Sequence, residues 1–318
     1  MNEKISFVKV QNFKLFDELE VSGVKKVNLI GGKNNLGKTA LLEAISLNAS
    51  SIDFNSLLLN IKSVLQRRHN TIEIDIFKQG SNKIKIETSS NTLSLEYENR
   101  SPEAVVYLGI NKQKQGIQIS HLLNGPVMIN QYKHSKVNFV PSGYVDMNYL
   151  SELYASLVSM GKDELIDESL RLFDDNIISI RQVIQGRPVF KVKVKNESTP
   201  ILLSSLGEGI NRFMAIVCAI WASENGYLFI DEIENGIHYT NYAKLWGLVY
   251  KLSKEANCQV FVTTHSKECI EAFNQANSEE QGAYFELYKN KKEKIVVKNR
   301  DYEQLSYSLS HNGSFRGE

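Results

Sequence analysis

The stretch VNLIGGKNNLGKTALLEAI, at residues 27–45, contains an apolar run, a glycine-rich loop and the first turns of a helix. Within it, residues 32–39 match the pattern G-x-x-x-x-G-K-T. The glycines of such a loop let successive backbone N–H groups point at phosphate oxygens, and the lysine adds a positive charge. We therefore predict a nucleotide-binding loop. An ordinary glycine turn before a helix is the less favoured alternative.

Two residues of this loop have predicted roles of their own. Lys38 would contact the β- and γ-phosphates, and the hydroxyl of Thr39 would be a ligand of Mg²⁺. The pattern does not read the base, so it does not by itself distinguish adenine from guanine. The predicted nucleotide-binding residues of the loop are Gly32, Asn34, Asn35, Gly37, Lys38, Thr39 and Ala40.

A second motif joins an apolar run to two acids. YLFIDE, at residues 227–232, has the composition of a buried parallel strand but ends in adjacent carboxylates. We predict that Asp231 holds Mg²⁺ through water and that Glu232 polarises the attacking water as a general base. The alternative is that the two acids belong to a solvated turn at the end of the strand.

Two further stretches complete the set of motifs. LLSSLGEGINRF, at residues 202–213, is a serine-glycine turn at which a helix begins. Its hydroxyls, its N–H groups and the helix dipole favour the binding of an anion. Taken alone, it is better explained by Ser204 or Ser205 as the N-cap of that helix. VFVTTHS, at residues 260–266, is a buried strand that places His265 at its C-terminal end, where α/β sheets carry functional groups. A lone histidine in this position is more often structural.

Composition indicates an ordinary soluble globular protein. Of the 318 residues, 42% are hydrophobic and 23% are charged. The 37 Lys and Arg nearly balance the 36 Asp and Glu, so net charge predicts no nucleic acid or membrane partner. The longest apolar run, at residues 213–222, is too short to span a bilayer, and residues 1–10 do not resemble a signal peptide. We expect a cytoplasmic protein whose three scattered cysteines are reduced core thiols.

Hydrophobic periodicity predicts the secondary structure around the motifs. Three short strands are predicted first, and the last of them runs into the glycine-rich loop. Two helices are predicted after the loop, at about residues 38–47 and 54–69. Residues 71–140 are β-rich with Gly, Ser and Asn between the strands, which indicates antiparallel hairpins. Residues 148–184 have a helical period. The remainder alternates strand and helix and ends in a hairpin at about residues 283–299.

The order and spacing of the four motifs resemble those of the ABC-type ATPase heads of the SMC, RecF and OLD proteins. Asp231 follows Lys38 by 193 residues (231 − 38), more than most nucleotide-binding cores place between these motifs. VQNFKLFDELEV is similar to the N-terminal strand pair of these heads, and DEIENGIHY and TTHS look like their Walker B, D-loop and switch-histidine segments. The likeness covers essentially the whole chain. It is greatest to the short stand-alone AAA-domain ATPases of bacteria.

The resemblance implies an α/β fold, namely an ABC-type P-loop ATPase head with a mixed sheet, an antiparallel β subdomain and a helical insertion. We expect residues 1–318 to form a single head. Lobe I would cover about residues 1–142, the helical insertion about residues 145–185, and lobe II about residues 186–318. The sequence has no long coiled coil and no Toprim-like nuclease domain, so we expect neither DNA bridging of the SMC kind nor nuclease activity of the OLD kind.

The resemblance also implies roles for particular residues. In these proteins two heads dimerise head to tail, and each ATP lies between the phosphate loop of one protomer and the signature turn of the other. ATP and Mg²⁺ are therefore the implied cofactors. By resemblance, the signature residues acting in trans are Ser205, Gly207 and Glu208, and the catalytic residues are Glu232 and His265. The D-loop residues are Asn235 and His238, the metal ligands are Thr39 and Asp231, and Lys14 lies near the nucleotide.

The sequence departs from the family pattern in its signature and in its Q-loop. Leu206-Gly207 stands where relatives have a pair of glycines, so the match to L-S-G-G-E is partial. No clear Q-loop glutamine is present, and the candidates are Ser142, in the expected connection between the lobes, and Gln131 upstream. Basic clusters at residues 66–69 and 289–294 are candidate DNA contacts, although a charge run is more often only solvated.

Three functions agree with these features. The resemblance favours an ATP-dependent switch that forms a homodimer or higher homo-oligomer and controls a separately encoded nuclease or toxin in anti-phage defence. No second catalytic constellation is found in the sequence, which favours an external effector. The first alternative is a RecF-like factor in recombination or repair that loads on DNA in its ATP form. The second is a non-hydrolysing nucleotide sensor that acts as a scaffold, against which Glu232 and His265 argue.

Overall fold

The glycine-rich stretch folds as predicted, into a strand, a loop and a helix. The computed structural model describes residues 4–66, 75–99, 103–124, 136–143 and 145–311. Its strands are β1 (Phe7–Phe13), β2 (Phe16–Ser22), β3 (Val27–Gly32), β4 (Lys83–Thr88), β5 (Thr92–Glu98), β6 (Val105–Ile110), β7 (Gln113–Gln118), β8 (Val137–Val140), β9 (Ile177–Gln185), β10 (Arg187–Val194), β11 (Ile201–Leu202), β12 (Tyr227–Ile230), β13 (Gln259–Thr263), β14 (Gly282–Lys289) and β15 (Ile295–Arg300). Its helices are α1 (Lys38–Ala49), α2 (Phe54–Gln66), α3 (Ile119–Asn124), α4 (Met147–Ser159), α5 (Asp163–Phe173), α6 (Glu208–Ala222), α7 (Tyr242–Glu255), α8 (Lys267–Ala276) and α9 (Tyr302–Ser310).

A six-stranded mixed sheet carries the glycine-rich loop at the end of a central strand. Its order is β15-β14-β3-β13-β12-β8, and all neighbours run parallel except the edge pair β14 and β15. Every residue of β3, β12 and β13 is buried, because both faces of the sheet are covered. The carboxyl ends of these three strands meet at one edge of the sheet. The glycine-rich loop, Asp231 and His265 therefore come together there.

A second six-stranded sheet is antiparallel throughout, with the order β2-β1-β4-β5-β6-β7. Strand β4 alternates exposed and buried residues, because one face of the sheet packs on the core and the other faces solvent. This sheet is the predicted antiparallel β subdomain. The hairpin of β1 and β2 brings its turn next to the glycine-rich loop, where Leu15 and Phe16 lie against Gly37.

Helix α1 lies between the two large sheets. It contacts β1, β4 and β5 on one side and β3, β12 and β13 on the other. All of its residues except Thr39 are buried. Because it is covered on all sides, it buries polar side chains (Lys38, Glu43, Ser46 and Asn48) as well as apolar ones, which explains why its sequence has no amphipathic period.

The opposite face of the mixed sheet forms a second core with the later helices. Helices α6, α7 and α8 pack there, with α4, α5 and the small sheet β11-β10-β9 beyond them. Alternate residues of one strand enter different cores: Phe229 joins the core around α1, and Leu228 joins the helical core. The three cysteines are free and buried, as predicted. Among the described residues, no helix is both long and apolar enough to cross a membrane.

The structure corrects the predicted elements in three places. The helical period expected to reach residue 184 ends at Phe173, and the isoleucine-rich segment Ile177–Gln185 is strand β9, which pairs with β10. Strand β8 does not join an antiparallel hairpin but pairs in parallel with β12. The β-rich region predicted at residues 71–140 also contains a helix, because β7 is followed by the short helix α3. Residues 67–74, which include most of one basic cluster, lie outside the described part of the chain.

Candidate nucleotide-binding site

The glycine-rich loop has the backbone conformation that phosphate binding requires. Gly32, Asn35 and Gly37 have φ values of 130°, 60° and 84°, a region that L residues rarely adopt. A Cβ on Gly32 would lie 2.4 Å from the carbonyl oxygen of Leu287, so glycine is required there by space as well. Asn34 and Asn35 are exposed, whereas Ala40 is buried in the first turn of α1. No side chain caps α1, so its first N–H groups are available to an anion.

Lys38 is buried beneath this loop. Its Nζ donates hydrogen bonds to the carbonyl oxygens of Gly32 at 2.7 Å and Lys33 at 2.9 Å. Burial lowers the pKa of Lys38 to about 8, and the nearby carboxylates of Glu232, Glu234 and Asp231 partly offset that effect. The lysine is therefore placed to exchange two neutral carbonyl acceptors for charged phosphate oxygens.

Thr39 and Asp231 form a pair of oxygen donors beside the loop. The Thr39 hydroxyl donates to the two carboxylate oxygens of Asp231 at 3.0 and 3.1 Å, and Thr263 Oγ1 donates to Oδ1 at 2.6 Å. Mg²⁺ in nucleotide sites takes one or two protein oxygens and completes its shell with water and phosphate. The hydroxyl and the carboxylate therefore fit the predicted metal pair. No group of three or more His, Cys, Asp or Glu side chains suited to a metal occurs in the described residues.

Glu232 and His265, the predicted catalytic pair, are in direct contact. His265 Nε2 donates to Oε1 of Glu232 at 2.9 Å, and Nδ2 of Asn235 donates to Oε2 at 2.6 Å. The backbone of Glu232 has φ 48°, and its N–H donates to Thr263 Oγ1 at 2.8 Å. Left-handed non-glycine residues of this kind concentrate at functional sites. Both oxygens of the carboxylate are thus engaged and its backbone is fixed.

Glu234 is a site residue that the sequence reasoning did not single out. Its Oε1 accepts the main-chain N–H of His265 at 2.6 Å, so it fixes the loop that carries the histidine. Burial raises the pKa of this carboxyl, and the hydrogen bond from His265 opposes the shift. Nδ1 of His265 is buried and meets no hydrogen-bond partner among the described residues. The position of Glu234, two residues after Glu232, is the only signal the sequence offered.

The signature turn lies on the surface. Residues 203–206 form a 3₁₀ turn, and Gly207, with φ 93°, begins α6 without any side-chain cap. Ser204 and Ser205 therefore do not cap this helix, which overturns the N-cap explanation. Ser205, Gly207 and Glu208 are exposed, and among the described residues none of them hydrogen-bonds to the glycine-rich loop. The start of α6 offers uncapped N–H groups to an outside anion.

The D-loop lies against the start of α6. A Cβ on Gly209 would be 2.8 Å from the carbonyl oxygen of Gly236, so the two backbones approach as closely as glycine allows. A groove of about 330 Å³ runs between the signature turn, the D-loop and the end of α5, lined in part by Leu206 and His238. His238 is exposed, and its Nδ1 lies 2.9 Å from Thr240 Oγ1. The two predicted D-loop residues thus face different surroundings, since Asn235 reaches Glu232 and His238 faces this groove.

Arg212 is a second residue that the sequence reasoning missed. The residue is 4% exposed, and its guanidinium donates to the main-chain carbonyls of Pro141, Asp231 and Glu232. Burial lowers its pKa to about 10, against the opposing effect of Asp231, Glu234 and Glu232. A charged residue directly before the apolar run at residues 213–222 was the available signal.

Two remaining predictions concern Lys14 and the Q-loop. Lys14 forms an ion pair of 2.6 Å with Glu43 of α1, with side chains 6% and 0% exposed, so the pair ties the β1–β2 turn to the helix behind the loop. The main-chain carbonyl of Ser142, not its hydroxyl, accepts a hydrogen bond from Asn235 at 3.0 Å. Gln131, the other Q-loop candidate, lies outside the described residues.

The fold is that of the ABC-type ATPase heads of SMC proteins. The structure of an SMC head bound to the C-winged-helix domain of ScpA matches with a TM-score of 0.60 at 14% identity, covering 95% of this chain and 99% of that chain. The family model of the AAA ATPase domain matches residues 148–270, which contain the signature turn, the acid pair and His265. Together with the mixed sheet and the glycine-rich loop, these matches define the fold of a P-loop ATPase head.

Two proteins with named activities are similar to this chain in sequence. An ATP/GTP phosphatase of Helicobacter pylori (strain ATCC 700392 / 26695) is 28% identical over 371 aligned positions, covering 98% of this chain and all of that protein. The DNA replication and repair protein RecF of Bacillus mycoides (strain KBAB4) is 36% identical over 89 residues, 24% of each chain. The chain is thus similar in sequence to ATPases of the SMC/RecF-like class.

Proposed function

We propose that this ATPase is a hydrolysing switch that closes into a homodimer around ATP. The observation that carries the proposal is the contact of Glu232 with His265 beside the Thr39–Asp231 pair. A carboxylate base and a histidine placed next to a metal-binding pair and a phosphate loop are the parts needed to transfer a phosphoryl group to water. The likeness to an ATP/GTP phosphatase supports the same chemistry.

Each group has a defined part in the proposed reaction. The loop N–H groups and Lys38 would hold the triphosphate, and Thr39 and Asp231 would hold Mg²⁺, which neutralises phosphate charge when bound. His265 would leave Oε1 of Glu232 and turn to the γ-phosphate. The freed carboxylate would then accept a proton from the attacking water.

The signature turn is the proposed second half of the site. The turn offers serine hydroxyls, uncapped N–H groups and the dipole of α6, all of which suit a triphosphate. These groups lie on the surface, away from the glycine-rich loop of the same chain. A partner protomer would supply the triphosphate, so ATP would join the two copies. Hydrolysis would then remove the bridging charge and loosen the dimer.

Mixing two inactive variants tests this arrangement. Lys38→Ala removes the phosphate-loop lysine, and Ser205→Arg obstructs the signature turn, so we expect neither variant alone to hydrolyse ATP. An equimolar mixture should regain hydrolysis, because a mixed dimer combines the intact loop of one protomer with the intact signature of the other. A mixture as inactive as its components, or a Ser205→Arg variant with wild-type activity, would contradict the composite site.

We further propose that the dimer controls a separately encoded effector, a nuclease or toxin, in anti-phage defence. The family resemblance supports this role, and the similar SMC head was solved with a domain of a separate protein, ScpA. The test is to delete the gene and measure phage infection, and to purify the tagged protein from its host with ATP present. An unchanged phage titre together with the absence of a co-purifying partner would rule out the role.

RecF-like DNA binding is the second candidate function, favoured by the local RecF match and by a lysine-rich turn. Strand β14 runs parallel to β3, so the turn between β14 and β15 lies at the same sheet edge as the glycine-rich loop. Lys291, Lys292 and Lys294 are exposed in that turn. DNA binding should then require ATP, and its affinity should fall with salt with a log–log slope of about −0.9 for each phosphate contacted. The double variant Lys291→Glu, Lys292→Glu should make the salt dependence less steep, whereas Lys251→Glu on α7 should leave it unchanged.

A further inference from the structure

Arg212 links the signature helix to the backbone of the two acidic residues. It lies in the second turn of α6, five residues after Gly207, which begins that helix. Its Nη2 donates to the carbonyl oxygens of Asp231 at 2.6 Å and Glu232 at 3.2 Å, and Nη1 donates to that of Pro141. One side chain of α6 therefore holds the connection after β8 and the turn after β12.

The contacts at Glu232 explain why this link matters. The N–H of Glu232 is fixed by Thr263, and its C=O is fixed by Arg212. The residue between these two bonds has a left-handed backbone, which persists only where surrounding contacts hold it. The guanidinium therefore helps to hold the backbone from which the carboxylate projects.

The guanidinium also has the rigidity that a mechanical link needs. Its planar fork presents donors in a fixed geometry, so a shift of α6 must either carry the three carbonyls with it or break the hydrogen bonds. The Arg171 guanidinium on α5 donates to one carbonyl, that of Ile178, and stands at the surface. Arg212 differs because it is buried and bonds to three carbonyls in two segments of the site.

We propose that Arg212 is a positioning residue that transmits engagement of the signature turn to Glu232. The inference rests on the proposed function, in which the signature turn binds the triphosphate held by a partner. A small displacement of the start of α6 on binding would be carried by Arg212 to the backbone of Asp231 and Glu232. The base would reach its active orientation only when the second protomer is in place.

Substitution of Arg212 by lysine tests the proposal, with Arg171→Lys as the matched control. Lysine keeps the charge but loses the fork, so we expect Arg212→Lys to lower kcat by about 10- to 100-fold while KM and ATP binding stay near wild type. Arg171→Lys should leave kcat unchanged. In a Ser205→Ala background, Arg212→Lys should cause little additional loss of kcat, because the two residues act in one chain of contacts.

Hydrogen exchange with a non-hydrolysable ATP analogue and Mg²⁺ gives a readout independent of turnover. In the wild type, the analogue should slow exchange in both the glycine-rich loop and residues 231–238. In Arg212→Lys the loop should still be protected, and residues 231–238 should respond less. Additive losses of kcat with Ser205→Ala, or an unchanged response of residues 231–238, would overturn the link. A wild type that shows the exchange response but no hydrolysis would refute the proposed function alone.

Discussion

The two halves of the candidate site are built in opposite ways. Around the glycine-rich loop, Thr39, Asp231, Glu232 and His265 are joined by hydrogen bonds into one cluster. The signature turn is exposed, its helix is uncapped, and its serines bond to none of the cluster's residues within the described chain. The first half is assembled within one chain, and the second stands on the surface, where we propose that a partner protomer meets it.

Under the proposed function, this difference assigns catalysis of hydrolysis to the first half and control of hydrolysis to the second half. A cluster whose members hold one another keeps its polar groups close to the positions that the proposed reaction needs, which favours electrostatic catalysis. A turn with unsatisfied donors gains most from an anion that another molecule brings. Four predictions follow from the contrast, in order of decreasing effect.

The largest effect should come from Glu232→Gln. The amide cannot accept the proton of the attacking water, so kcat should fall by about 10²- to 10⁴-fold while ATP binding and ATP-dependent dimerisation remain. Steady-state phosphate release and light scattering with ATP would measure the two properties. The exposed Glu255→Gln variant on α7 is the control. Hydrolysis at the wild-type rate by Glu232→Gln would remove this residue from the assembled half of the site.

The pH dependence of ATP binding should report the titration of the buried Lys38. Lys38 has a pKa lowered to about 8, and a bound triphosphate favours its charged form, so binding above pH 8 must take up a proton. Affinity should therefore be nearly constant below pH 8 and fall by up to about tenfold per pH unit above it. Titration with a fluorescent ATP analogue at pH 7, 8 and 9 would measure this.

A control separates Lys38 from the other lysine with a strongly lowered pKa. Burial near Lys4 lowers the pKa of Lys26 to about 7, and Lys26 lies just before β3, at the end of the strand away from the loop. Lys26→Met should keep the decline of affinity above pH 8. If the decline disappears in this variant, Lys38 is not its source.

Substitution at the boundary of the two halves should have a moderate effect on stability. Gly209→Ala would place a methyl group 2.8 Å from the carbonyl oxygen of Gly236, so it should lower the free energy of unfolding by about 1–3 kcal/mol. Gly247→Ala in α7 meets open space and should raise that free energy by about 0.5–1 kcal/mol. Urea unfolding of both variants gives the comparison. Equal effects would mean that α6 and the D-loop do not need their close approach.

The smallest effect on stability should come from Ser205→Ala. Its hydroxyl caps no helix, so the free energy of unfolding should change by less than about 0.5 kcal/mol, although ATP-dependent dimerisation should weaken. Ser266→Ala is the matched control, because Ser266 caps α8 through the N–H of Cys269 at 3.1 Å and its loss should lower the free energy by about 1 kcal/mol. An equal loss from the two variants would restore the N-cap explanation for the signature serine.

The sequence predicted the parts of the site that follow a strand directly. The glycine-rich loop, Asp231, Glu232 and His265 each come after an apolar run, and parallel strands bring their carboxyl ends to one edge. Arg212 and Glu234 could not be placed in the same way, because their roles depend on contacts with main-chain groups of other segments. Local patterns report residue type and period, but not which distant carbonyl a side chain will reach.

The same limit explains the errors in the fold. Residues 177–185 follow two helices and have no strict alternation, so only their pairing with β10 makes them a strand. Strand β8 came after a series of hairpin strands, yet it joins β12, whose sequence lies almost ninety residues later. Pairings over such distances are set by the tertiary fold and leave no local mark.

The placement of α1 between both large sheets has a consequence for how the molecule should melt. The helix packs on both large sheets, so neither sheet can leave the core between them without exposing it. Because the proposed nucleotide site includes its first turn, a bound nucleotide should raise the melting temperature of both sheets together. In such a head, ligand binding and the packing of the two sheets would meet in a single helix.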